Sequence, residues 1–257
     1  MDLQAYLERI GYSGPAEPTL AVLRDVHRHH LLAVPFENLD IPLHREIRLD
    51  LERIFDKIVG HRRGGFCYEQ NGLFAWALRE IGFDLDMLSA RVARADGSYG
   101  RDFDHMLLLV RVAGGEWLAD VGYGECFVEP LRFDTTRPQL DRGIEYQVVR
   151  DRDGYLLLRR QGEDWKREYL FTLTPRRYPE YAEMCVYHQT SPESSFTHKR
   201  LCSLATPQGR ITLTERTLTV TEAGKRTETP VASVAEFERL LIQHFGIGLT
   251  GFPPVHP

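Results

Sequence analysis

Three side chains in this sequence could together run acyl transfer: the thiol of Cys67, the imidazole of His105 and the carboxylate of Asp120. A cysteine becomes a working nucleophile when an imidazole takes its proton and a carboxylate fixes the imidazole's tautomer. Cys67 lies in HRRGGFCYEQNGLFAWALRE, after two glycines and before an apolar-periodic run. That pattern puts the sulfur at a helix N-terminus, where unpaired backbone N–H groups and the helix dipole favour the thiolate. Arg62 and Arg63 add positive charge nearby. Gly64 and Gly65 permit a tight turn and are expected to leave room for a substrate. His105 opens HMLLLVRV and Asp120 closes WLAD, 15 residues apart on two runs joined at Gly114-Gly115. If those strands pair, both side chains reach one end of a sheet, with the helix bearing Cys67 above it.

Each residue alone has an ordinary account: a small buried cysteine, a solvated histidine at a strand edge, a turn aspartate. Cys126, Cys185 and Cys202 keep that account. The combination carries more. A helix-borne cysteine followed by a histidine and an aspartate on strands is the chain order of papain-like and transglutaminase-like enzymes.

The elements that must position these groups can be read from periodicity. Apolar stripes at Leu3–Ile10, at Leu20, Leu23 and Val26, and from Leu51 to Val59 predict three helices. A fourth is predicted from about Cys67 to Ile81, stopped by Gly82. The proline-bearing VPFENLDIPLH is a connection. In the middle third the period drops to that of strands, in MLSARVA, HMLLLVRV, EWLADVG, EYQVVR and YLLLRR. Gly114-Gly115 and Asp153-Gly154 mark hairpins, so an antiparallel sheet or small barrel is expected. RITLTERTLTV reads as a strand. SVAEFERLLIQHFG reads as a helix with Ser233 and Glu236 as a capping box and Gly246 past its end.

Composition narrows the partners. The chain has 257 residues, 42% hydrophobic and 27% charged, with 32 Lys plus Arg against 37 Asp plus Glu, a formal net charge of −5. That is an ordinary globular balance, with no push towards nucleic acid or membranes. The N-terminus lacks a basic start before an apolar core, and no apolar run approaches the roughly 20 residues of a membrane span. Four cysteines without CxxC pairs read as free thiols of a reducing compartment, so a cytoplasmic protein is expected. His27, His29 and His30 have no partner at metal-ligand spacing. They are expected on a solvated helix face, with no metal.

RRGGFCYEQNGLFAWAL, FDHMLLLV and LADVGYGE resemble the nucleophile, histidine and aspartate segments of the arylamine N-acetyltransferases. VPFENLDI and SPESSFTHKRLCSLATPQGRITL also resemble family segments, so the likeness spans nearly the whole chain. It implies an α+β fold with a cysteine-protease-like core in three parts: a helical bundle, a central antiparallel β-barrel and an α/β lid. The change of pattern along the chain puts these at 1–83, 84–190 and 191–257. The likeness implies Cys67, His105 and Asp120 as a triad, and acetyl-CoA as acyl donor in a ping-pong reaction through an acetyl-cysteine. An arylamine or hydrazine would be the acceptor, and a monomer or homodimer is expected. Phe36, Tyr123, Gly124 and Phe196 match positions that line the substrate cleft. Tyr123 stands where many members carry Phe, so its hydroxyl is expected to make the pocket more polar, and Met106 to narrow it. The CoA phosphates need cations, for which Arg62, Arg63, Arg94, Arg101, Lys199 and Arg200 are available. Two relatives in chemistry stay open: an amide synthase that closes macrolactams, and another Cys-His-Asp acyltransferase or hydrolase.

Overall fold

The computed structural model describes residues 1–133 and 137–254. Four helices come first: α1 (Leu3–Arg9), α2 (Leu20–Ala33), α3 (Leu51–Phe55, running on as a π-turn over Asp56–Gly60) and α4 (Cys67–Ile81). α4 begins where Phe66 N–H donates to Glu69 Oε2 (3.1 Å). It ends at Gly82, whose φ of 105° a side chain would resist. Polar residues at its start, Glu69, Gln70 and Asn71, are as buried as its apolar ones.

Eight strands follow. They are β2 (Asp84–Val92), β3 (His105–Val112), β4 (Gly115–Ala119), β5 (Leu131–Arg132), β6 (Gln139–Asp141), β7 (Ile144–Asp151), β8 (Gly154–Gln161) and β9 (Asp164–Phe171). They form one antiparallel sheet in the order β5-β4-β3-β2-β9-β8-β7-β6. The sheet curls until its ends nearly meet. There the Gln139 side chain accepts from Arg132 N–H (2.7 Å) and donates to Arg132 C=O (2.9 Å), replacing a strand pairing. The continuous apolar run in β3 has a simple cause: both faces are covered. Leu107 and Leu109 belong to the cluster inside the barrel, with Leu157, Tyr169 and Phe171. Met106, Leu108 and Val110 join the larger core shared with α4.

A second sheet carries the C-terminal third. It pairs β1 (Phe36–Glu37) with β10 (Leu201–Thr206), β11 (Gly209–Thr214), β12 (Thr217–Glu222) and β13 (Lys225–Pro230). RITLTERTLTV is therefore two strands, with a turn at Glu215-Arg216. Two further helices are α5 (Ala182–Thr190) and α6 (Val234–Phe245). At α6, Ser233 Oγ accepts from Glu236 N–H as expected. Glu236 itself accepts from Ala232 N–H, one residue before the cap. Among the described residues, no helix is long and apolar enough to cross a membrane.

Gly64 and Gly65 lie against β1, where Gly65 N–H donates to Pro35 C=O and Glu37 N–H to Gly65 C=O (3.3 and 3.0 Å). They leave room for backbone and for Glu69 rather than for a substrate. A Cβ on Gly64 would sit 1.8 Å from the Pro35 carbonyl oxygen, which cannot swing aside. Gly64→Ala is expected to lower stability by about 2 kcal/mol or more, read as a lower thermal midpoint. An unchanged midpoint would mean that the two segments are not this close.

Candidate active site

The three residues meet where the start of α4 touches one end of the barrel. Cys67 is the first residue of α4 and is 3% exposed; His105 (2%) opens β3, and Asp120 (1%) follows β4. Ala113 and Gly114 form the turn between those strands, both at positive φ. Leu108 pairs with Ala119, so His105 and Asp120 fall at the same end. His105 Nε2 lies 2.7 Å from Asp120 Oδ2, which leaves Nδ1 as the ring nitrogen able to take a thiol proton.

Asp120 is held from all sides. Its Oδ2 also accepts from Tyr169 OH (3.1 Å), and its Oδ1 accepts from Asn71 Nδ2 (2.9 Å) and Gly122 N–H (3.0 Å). Burial pushes the carboxyl up, but His105 and these donors outweigh it and hold Asp120 below the ordinary carboxylate range. Asn71 is itself fixed, accepting from Val121 N–H and donating to Met106 C=O. A Cβ on Gly122 would sit 2.8 Å from the Cys67 backbone, so only glycine lets this turn approach α4.

At Cys67 the helix end competes with burial. Burial comes first and pushes the thiol well above its ordinary value, Asp104 and Asp120 add to this, and the Tyr68 N–H opposes it. Arg63 supplies no free charge, because Glu37 (2.7 Å) and Asp40 (2.6 Å) take its guanidinium.

Cys67 and His105 line a cleft of about 460 Å³, and so do Phe36, Tyr123, Gly124 and Phe196. All four positions matched to a substrate cleft are thus brought together. The Phe36 and Phe196 rings lie 6.2 Å apart on one wall. The Tyr123 ring meets His105 edge-on at 5.1 Å. Its hydroxyl adds no free polarity, since it donates to Glu168 Oε2 (3.1 Å) and Glu168 C=O (3.0 Å). Met106 does not narrow the cleft, because its side chain is fully buried in the core on the other face of β3.

A family model described as N-acetyltransferase matches residues 19–252. The chain is 36% identical over 250 residues to the arylamine N-acetyltransferase / N-hydroxyarylamine O-acetyltransferase of Salmonella typhimurium, covering 96% of this chain and 89% of the relative. A solved S. typhimurium arylamine N-acetyltransferase superimposes with a TM-score of 0.91 at 35% identity, over 97% of this chain and 92% of the other. The chain belongs to the arylamine N-acetyltransferase family. The Mycobacterium marinum enzyme solved in complex with CoA is also similar, with a TM-score of 0.90 at 32% identity over 96% and 93% of the two chains. So is a Bacillus cereus enzyme described by a unique Cys-His-Glu catalytic triad, at 0.88 and 25% over 97% and 100%.

None of the six cations proposed for CoA lines the cleft; Arg159, Lys166 and Arg210 do. Arg200 is buried and donates to the Pro253 carbonyl. Arg101 is paired with Glu193. Tyr169 and Glu168 were missed because β9 begins with Asp164, Lys166 and Arg167, which disguise it as a loop.

The histidines of α2 overturn the solvated-face expectation. His27 and His30 are fully buried, and His29 is half-buried. His27 Nδ1 donates to Val128 C=O (2.7 Å), and its Nε2 accepts from Asp120 N–H (3.0 Å). His30 Nε2 donates to Gln70 (2.8 Å), and Gln70 in turn donates to Pro35 and Gly65. Burial lowers His27 to about 4 and His30 to about 3. The unfolded chain, with histidines near ~6.5, therefore binds these protons first, so stability is full above that value and is lost as pH falls towards 4. His27 alone should contribute a loss on the order of 3 kcal/mol. Denaturant melts from pH 7.5 to 4.5 should show the fall; a flat profile would mean that the rings are not buried and neutral.

Proposed function

We propose that this enzyme moves the acetyl group of acetyl-CoA to arylamines and hydrazines through an acetyl thioester on Cys67. The observation that carries the reading is the His105 ring, locked at Nε2 by Asp120 in the cleft that also holds the Cys67 thiol. The thiol proton passes to His105 Nδ1, and Sγ attacks the acetyl carbonyl carbon. The oxyanion is met by the Cys67 N–H, one of those that α4 leaves without an intrahelical acceptor. The carbon–sulfur bond to CoA breaks, and the imidazolium returns its proton to the leaving thiolate. The acceptor amine then attacks the acetyl-cysteine and gives its proton to His105, and Cys67 departs and is reprotonated. Exchange of one thioester for another is nearly isoenergetic, so a positioned base suffices. Asp120 stabilises the imidazolium at both stages. On this reading residues 1–83 present the nucleophile, 84–190 the base and its carboxylate, and 191–257 close the cleft.

The chemistry of the walls suits an acyl donor with a polyanionic tail. Arg210 is half-buried, donates to Ser203 Oγ (3.0 Å) and, with Glu125 as its charged neighbour, makes no close ion pair among the described residues. It and Thr212 also line an adjoining cavity of about 530 Å³, where Arg142 donates to the Thr206 carbonyl and Arg226 is paired with Glu228. Arg210 would hold a phosphate.

Intact-protein mass spectrometry after incubation with acetyl-CoA alone tests the reading. One acetyl adduct is expected on the wild type, absent from Cys67→Ala and discharged by an added arylamine. No adduct, with Cys67 still quickly alkylated, would point to another acyl donor. Arg210→Gln should raise the acetyl-CoA KM about tenfold, the worth of one charge-assisted contact, with the KM for the arylamine unchanged. An unchanged acetyl-CoA KM would remove Arg210 from phosphate binding.

A further inference from the structure

We infer that Glu168 reads the substituent opposite the amine of the acyl acceptor, a reading that rests on the acetyl transfer proposed above. β9 carries a bulge at this residue. Leu157 pairs with Tyr169 and Leu158 with Arg167, so Glu168 is the extra residue. Side chains alternate between faces along a regular strand, and a bulge breaks the alternation. Here it turns two consecutive side chains to the active site. Tyr169 reaches Asp120 (3.1 Å), and Glu168 reaches the Tyr123 hydroxyl (3.1 Å) and the cleft wall.

Glu168 is 3% exposed, and one of its carboxylate oxygens, Oε1, accepts no hydrogen bond. The nearest cations stand at ion-pair rather than hydrogen-bond geometry: Arg159 Nε at 3.4 Å from Oε1 and Lys166 Nζ at 3.5 Å from Oε2. Arg159 is further engaged by Glu125. A buried acceptor met only by an ion pair and no hydrogen bond has capacity for a donor, and this one belongs to a residue that lines the cleft. Rotation about its terminal torsion, which is soft in glutamate, can offer the oxygen to a ligand.

Tyr123 measures the reach. Its ring centroid lies 5.1 Å from that of His105, and its hydroxyl touches Glu168. An arylamine lying beside Tyr123, its amine at Cys67 and His105, carries its para substituent to the same carboxylate. The class favoured is therefore aryl acceptors with a hydrogen-bond donor para to the amine. A para carboxylate meets like charge at Glu168, which already engages the adjacent cations Arg159 and Lys166.

The test compares 4-aminophenol, 4-methoxyaniline and 4-aminobenzoate as acceptors for the full-length enzyme. The first two are similar in size and in the electron supply to the amine, and only the first can donate. Wild-type kcat/KM is expected to be about tenfold higher for 4-aminophenol than for 4-methoxyaniline, the difference a hydrogen bond to a charged acceptor makes. Glu168→Gln should shrink that ratio to about threefold or less and raise 4-aminobenzoate relative to both. A merely structural Glu168 would lower all three rates together and leave the ratios alone, which overturns the inference. Equal use of 4-aminophenol and 4-methoxyaniline by the wild type, or a preference for 4-aminobenzoate, overturns it without any variant. The acetyl adduct on Cys67, measured in the same preparations, separates the two readings. If it forms and the ratios fail, only the role of Glu168 falls; if it never forms, acetyl transfer falls too.

Discussion

Lys57 and Arg63 sit among three buried carboxylates, and the start of α4 hangs from them. Lys57 Nζ lies 2.7 Å from Asp40 and 2.8 Å from Glu69, and Arg63 bridges Glu37 and Asp40. The acids come from β1, from the loop after it and from the first turn of α4. The cations come from the π-turn and from the residue before the two glycines. Removing one member would leave an uncompensated buried charge, at a cost of about 3–5 kcal/mol. Burial raises Glu69, while Lys57 opposes that shift. Glu69 also accepts the Phe66 N–H, so the cage reaches the backbone one residue from the nucleophile. Arg9 adds a clamp from behind, donating to the carbonyls of Ala33, Ile58, Arg62 and Arg63.

With α4 fixed, the barrel end has a surface to register against. Asn71, one helical turn beyond Cys67, is the joint. Its amide bonds Asp120, Val121 and Met106, so the strand carrying the carboxylate and the strand carrying the imidazole are both referred to the helix carrying the thiol. His27 reaches the same place from α2, accepting the Asp120 N–H. The cleft's chemistry thus rests on hydrogen bonds that are almost all out of water, where each is stronger and each omission costlier.

Much of this was legible where pattern and environment agree. α4 runs over the predicted Cys67–Ile81 because its apolar spacing and Gly82 stop act locally. The hairpin expected at Gly114-Gly115 lies one residue earlier, at Ala113-Gly114, and β3 is the strand its composition indicated, though not its burial on both faces. What could not be read depends on contacts far apart in sequence. β9 looks like charged loop because its first half faces water and its second half faces the barrel. His27 and His30 look like a polar face because their partners, Asp120 and Gln70, lie 93 and 40 residues away. Arg63 looks like free charge until Glu37 and Asp40 are seen around it. The burial of Cys67 was hidden for the same reason: the helix end is local and visible, whereas burial is a property of the whole assembly.

The two-residue strand β1 gives the molecule an order of assembly. Phe36 lines the cleft, yet its strand pairs with Cys202 and Ser203, and Asn38 is tied to Phe196, Lys199 and Leu201. A growing polypeptide holds Cys67, His105 and Asp120 long before it holds β10. The wall bearing Phe196 cannot be set until that late partner emerges, because such long-range pairings follow costly loop closure. The nucleophile is made early and enclosed late, so a chain halted partway carries the reactive groups without the chamber that confines them.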